Sequence, residues 1–107
     1  MAETETKQEI EKISLTKEQL KKLSSFFKEA YSIGEESVMK ILSGKVDWGV
    51  KNLNNLIIPE DFLEVSSIME QIKQNAYEKG QRAKKNLNNL RDEDEKEIMN
   101  KYIVLSP

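Results

Sequence analysis

The chain contains no cysteine and no histidine. The first absence removes disulfides and thiolate chemistry, the second removes imidazole acid–base work, and together they remove nearly all zinc sites. Long apolar runs are also missing: none approaches the roughly 20 residues that a membrane-spanning helix needs, so no membrane span is expected. Neither sign of charge dominates, since 17 basic and 19 acidic residues leave a net charge of −2. That balance argues against nucleic-acid binding driven by a basic excess. The opening MAETETKQEIEK is acidic and polar where a secretory leader is basic and then apolar, and a cytoplasmic location is expected.

What is present is a small, charged, helix-forming chain. At 107 residues, 34% of them charged and 37% hydrophobic, it suits one small domain and makes a large single core doubtful. Residues 1–13 read as a flexible N-terminal tail and 14–107 as one all-helical domain. Thr16 and Gln19 stand at capping-box spacing, flanked by Leu15 and Leu20 at hydrophobic-staple spacing. From Leu20 the apolar and small residues recur at Leu23, Phe27, Ala30, Gly34, Val38 and Leu42 in steps of three or four. Val46, Gly49, Leu53 and Leu56 keep that phase. The favoured reading is one long helix over about 16–57, bent or loosened at Ser43-Gly44; a break near 43–49, giving two shorter helices, is the alternative.

Pro59 forces a stop and suits a first helical turn, with Glu60 and Asp61 complementing the positive helix end. A second helix is predicted over about 59–91, its stripe running through Phe62, Val65, Met69, Ile72, Ala76, Gly80, Ala83, Leu87 and Leu90 in a heptad-like progression. Asp92 and Glu95 offer a cap for a short helix over about 93–103, carrying Ile98, Met99, Tyr102 and Ile103. The small residues of the second stripe permit close backbone approach.

The hexamer KNLNNL occurs twice, at Lys51–Leu56 and Lys85–Leu90. Aligning the copies brings no matching packing positions beside them, so they read as two Leu-x-x-Leu turns on helix stripes rather than as a structural repeat. Glu35 and Glu36 project about 100° apart on a helix and do not converge on one atom. The basic cluster Lys79, Arg82, Lys84 and Lys85 is followed at once by acidic residues. No serine has a base nearby, and no phosphate-binding or dinucleotide motif is present. These features predict no catalytic residues, no metal site, no cofactor and no enzymatic activity. The single Trp48 is read as an anchor packing the bend, with insertion into an apolar partner as its rival role.

Two narrow apolar stripes in a hairpin give each helix one partner only, so a further cover is expected: a second copy of the chain, or an external apolar surface. The predicted architecture is therefore all-α, a long amphipathic helical hairpin with a short C-terminal helix, assembled into an oligomeric coiled-coil-like bundle. The segment from Phe26 to Leu90 resembles a phasin in the order of its features: a long amphipathic helix ending in a Leu-rich turn, then Pro59-Glu60, then Leu63 to Ile68 and a Gln-bearing second helix. The likeness spans roughly residues 16–91, and the chain departs from the family in being richer in Lys, Asn and Ile than in Ala and Gln. The resemblance implies a cytoplasmic, granule-associated homo-oligomer, a dimer or tetramer, coating polyhydroxyalkanoate and recruiting its synthase or depolymerase. Hydrophobicity nominates Phe26, Phe27, Trp48, Leu53, Leu56, Phe62 and Leu63 as the contact residues. The alternative is a small helical protein-interaction module of immunity-protein, adaptor or antitoxin type.

Overall fold

The computed structural model describes residues 12–87 and 90–106. In chain order these form strand β1 (Ile13–Leu15), helix α1 (Lys17–Leu42), helix α2 (Trp48–Asn55), a 3-10 segment (Glu60–Val65), helix α3 (Ser66–Lys85), helix α4 (Arg91–Tyr102) and strand β2 (Ile103–Leu105). The described chain is mostly helical, as expected. Of the expected tail, residues 1–11 lie outside the described residues, and Ile13 belongs to a strand. β1 and β2 pair in parallel, Ile13 with Ile103 and Leu15 with Leu105, in a two-stranded ribbon that ties the two ends of the described chain together.

α1 begins at the capping box: the Gln19 amide donates to Thr16 Oγ1 at 3.2 Å and the Thr16 amide donates to Gln19 Oε1 at 3.0 Å. It ends at Leu42, so the favoured single helix over 16–57 is not formed. The reason lies in Gly44, whose φ of +92° only glycine adopts freely. With Gly44 in that conformation its amide donates to the Ile41 carbonyl at 3.0 Å and the Lys45 amide reaches back to the Lys40 carbonyl at 2.8 Å. This is a Schellman ending, in which the last turn's free carbonyls find donors beyond the helix. Pro59 remains extended (φ −58°, ψ 147°) ahead of the 3-10 segment, and regular α-helix waits until Ser66.

The hairpin is corrected as well: the two long helices run in the same direction. Lys22 near the start of α1 meets Asp61 just ahead of α3 at 2.6 Å, and Ser37 late in α1 accepts from Gln81 late in α3 at 3.1 Å. The return leg is α2 with the extended residues 56–59, which descend alongside α1. α4 then descends alongside α3, where Lys79 meets Glu97 at 3.2 Å and the Tyr102 hydroxyl donates to Gln71 Oε1 at 3.3 Å.

The fold therefore consists of two successive units, each a long ascending helix followed by a short descending one. Its sequence counterpart is a repeat distinct from the hexamer: Ala30-Tyr31-x-x-Gly34-Glu35 recurs as Ala76-Tyr77-x-x-Gly80-Gln81, 46 residues later. The correspondence is physical. Gly34 lies against the Tyr77 carbonyl and the Gln81 amide, and Gly80 lies against the Tyr31 carbonyl and the Glu35 amide, so close that a Cβ on either would overlap backbone. The tyrosines then cross over. Tyr31 of the first unit donates to Asp94 Oδ2 on α4 at 2.9 Å, while the Tyr77 hydroxyl of the second unit covers Gly49 on α2.

The leucines of the second hexamer copy are not in the core. α3 ends at Lys85, and Leu87, at φ +56°, and Leu90 are both exposed. In the first copy Leu53 is buried and Leu56 half-buried. The expected cap at Asp92 is also absent: the residue preceding α4 is Leu90, with no side-chain cap, and Asp92, Glu93 and Asp94 sit in the first turn, where the helix dipole favours negative charge.

Candidate functional site

One core, drawn from both units, is formed by Leu15, Leu23, Phe26, Phe27, Ala30, Tyr31, Leu53, Phe62, Met69, Ile72, Ala76, Tyr77, Ala83, Ile98 and Tyr102. Four of the seven residues nominated as a contact surface are thus interior: Phe26, Phe27, Leu53 and Phe62 are all at most 5% exposed. The expectation that the stripes need an external cover fails at these positions because α1, α3 and α4 pack on one another, and each stripe has more than one partner inside the chain. Of the other three, Leu63 is exposed, Leu56 is half-buried, and Trp48 is half-buried with Lys40 Nζ 5.4 Å from its ring centroid. Trp48 opens α2 but is not among the hydrophobic residues packed on the core.

The polar groups inside the fold are satisfied by structural partners. Ser37 donates to the Gly34 carbonyl at 2.7 Å. Lys73, 7% exposed, donates from Nζ to the Leu56 carbonyl at 3.2 Å, where α2 ends, and lies 3.4 Å from Glu70. Lys79 is tied to Glu97 at 3.2 Å and Asp94 at 4.0 Å, which commits one member of the basic cluster to α4. Burial, then the hydrogen bond to Asp94 and the Asp94 charge, hold the Tyr31 phenol well above its usual range. Glu36 faces Lys40 at 3.9 Å, a surface pair of small energetic value. Among the described residues, no group of three His, Cys, Asp or Glu side chains is placed to hold a metal ion.

What the fold leaves open is a groove of about 490 Å³ between α1 and α2, with Ile33 and Leu56 at its apolar floor and Lys28, Glu29, Asn52 and Asn55 around it. α2 is short and turns Leu53 into the core, so that on the groove side it presents Asn52 and Asn55. Asn52 turns its amide onto the Trp48 carbonyl at 2.8 Å rather than filling the space. Of these residues, hydrophobicity nominates only Leu56 as a contact. Lys28, Glu29, Asn52 and Asn55 are polar and lie off the apolar stripes, so periodicity carries no signal for them.

A second open feature is the turn joining α1 to α2. Met39, Leu42, Val46 and Val50 are each more than half exposed there, with Lys40, Lys45 and Lys51 among them. No helix among the described residues is long and apolar enough to cross a membrane.

Comparison with protein-family models, with curated proteins and with solved structures gives no match. The phasin resemblance therefore rests on the sequence features quoted for it.

Proposed function

We propose that the protein is a non-catalytic helical interaction module that binds a specific protein partner through the groove between α1 and α2. The observation that carries this reading is the groove itself: an apolar-floored cleft beside long helices whose stripes, from Leu23 to Gly34 and from Met69 to Ala83, are buried inside the chain. A polar rim around an apolar floor is how protein interfaces combine burial with specificity. The test is retention by immobilised protein from a lysate of its native host. One protein held at equal stoichiometry by the wild type, and released by Ile33→Asp, is the expected result; no stoichiometric partner sinks the reading.

A second reading, the phasin-like coat on polyhydroxyalkanoate granules, is favoured by the exposed apolar residues at the α1–α2 turn. On this reading Leu42, Val46 and Val50 enter the polyester surface, charged faces keep the particles dispersed, and a homodimer or tetramer engages the synthase or depolymerase. Incubation with polyester particles followed by pelleting tests it, since protein left in the supernatant counts against adsorption. Sedimentation of the free protein gives the oligomeric state directly.

A further inference from the structure

Because the two long helices run the same way, both end at one end of the molecule, where the turn from α1 to α2 emerges. Lys84 of α3 and Met39 of α1 line one hollow there, and Gln81 donates to Ser37 at 3.1 Å nearby. The turn is apolar at its tip, with Leu42 78%, Val46 64% and Val50 56% exposed. Its surroundings are basic. Residues 38–51 and 81–91 carry seven of the chain's 17 basic residues but only one, Asp47, of its 19 acidic ones. Glu36 partly matches Lys40 at 3.9 Å, and the next acidic residues, Asp92 and Glu93, belong to the first turn of α4. The rest of the chain is therefore strongly acidic, and its positive charge gathers beside its exposed aliphatic side chains.

Local structure accounts for only part of this charge. Lys40 stands in the last turn of α1, and Arg82, Lys84 and Lys85 in the last turn of α3, where the helix dipole favours cations. Lys45 and Lys51 lie before and within the short α2, outside those turns, and both are exposed. Among the described residues they enter no ion pair, and both line a hollow with Val46 and Trp48. We infer that the α1–α2 turn docks on an anionic phospholipid bilayer, Leu42, Val46 and Val50 entering the acyl boundary while Lys45 and Lys51 meet the headgroup phosphates. An aliphatic tip flanked by lysines is the arrangement in which apolar burial and attraction to anionic lipid add. A nucleic-acid backbone would match the lysines and leave the aliphatic side chains in water. A neutral polyester would match the aliphatic side chains and leave the lysines unanswered. The half-buried Trp48, with Lys40 Nζ 5.4 Å from its ring centroid, lies beside the tip, and tryptophan favours the headgroup level of a membrane. The docking is peripheral, uses no spanning helix and does not involve the groove.

The test is co-sedimentation of the full chain with vesicles of mixed phosphatidylglycerol and phosphatidylcholine, and with vesicles of phosphatidylcholine alone, at low and high salt. Trp48, the one tryptophan, reports the same event by its fluorescence. The expected result is pelleting with the mixed vesicles, a shift of Trp48 emission to shorter wavelength, and affinity about tenfold or more weaker for phosphatidylcholine alone or at high salt. Lys45→Gln combined with Lys51→Gln weakens binding to the mixed vesicles by about 25-fold, at roughly fivefold for each lysine. Leu42→Asp combined with Val46→Asp abolishes both the pelleting and the emission shift. All four side chains are exposed, so the variants keep the wild-type melting curve, which circular dichroism checks. No pelleting with the mixed vesicles at low salt overturns the inference, as does equal affinity for the two kinds of vesicle, or binding unchanged in the Leu42→Asp, Val46→Asp variant. Polyester particles carry no headgroups and separate this site from the coat reading: adsorption to them that ignores the lysine substitutions, together with failure on vesicles, supports the coat and overturns the lipid site.

Discussion

Gly34 and Gly80 set the distance between the two long helices. Each lies against a carbonyl and an amide of the opposite helix, so an added methyl meets backbone, which cannot turn aside as a side chain can. Gly34→Ala or Gly80→Ala returns about 1 kcal/mol of helix propensity but forces the helices apart at a cost of about 3 kcal/mol, the upper end for overpacking, and the expected net loss is roughly 2 kcal/mol in urea unfolding. Equal stability of wild type and variant would show that the helices separate at little cost. Tyr31 offers a second test. Burial and Asp94 raise its pKa above the ordinary 10.0. Its proton therefore leaves the unfolded chain first as pH rises. The stabilisation is complete below pH 10 and declines above it. Tyr31→Phe should cost about 1.5 kcal/mol at neutral pH through the lost hydrogen bond to a carboxylate, and should flatten the alkaline fall in stability. Stability curves of equal alkaline slope for the two proteins would refute that origin.

The helices are defined by their ends as much as by their faces. α1 stops where Gly44 adopts a left-handed conformation, and α3 stops where Leu87, with a Cβ, adopts one as well at φ +56°. A left-handed residue with a side chain costs on the order of 1 kcal/mol that glycine avoids, and the Leu87 side chain, 87% exposed, contributes little burial in return. Leu87→Gly is therefore expected to stabilise the protein by roughly 0.5–1 kcal/mol, read as a higher urea midpoint. A lower midpoint would mean that Leu87 makes contacts of its own. The helix stripes themselves were legible: Leu23, Phe27, Ala30 and Gly34 on α1, and Met69, Ile72, Ala76, Gly80 and Ala83 on α3, are buried as their spacing implies. The stripe of α1 was read too far. Ile41 and Leu42 keep the period but lie beyond the end of α3's contact and face solvent.

Across the whole molecule, the units interlock. Tyr31 reaches from the first unit to α4 of the second, Tyr77 reaches back to α2 of the first, and β1 pairs with β2 across the length of the chain. Neither unit keeps its core when the other unfolds, so a single unfolding transition is expected. The one tryptophan, Trp48, lies in the first unit and makes this measurable. Its fluorescence and the helical circular dichroism should share one midpoint in urea, and a fluorescence transition completed earlier would show the units melting separately.

Residue types and their periodicity were enough to establish a mostly helical chain, its capping box at Thr16, and the inward faces of its long helices, because these depend on neighbours three or four positions away. Whether Gly44 bends a helix or ends it, in which direction the two long helices meet, and whether Phe26, Phe27, Leu53 and Phe62 face a partner or one another are questions of contacts between residues tens of positions apart. Local pattern is the same in either case. Only when the return leg through residues 48–59 brings α3 parallel to α1 do the stripes find their cover inside the chain, and only then does the groove beside Leu56 stand out as the place left unfilled.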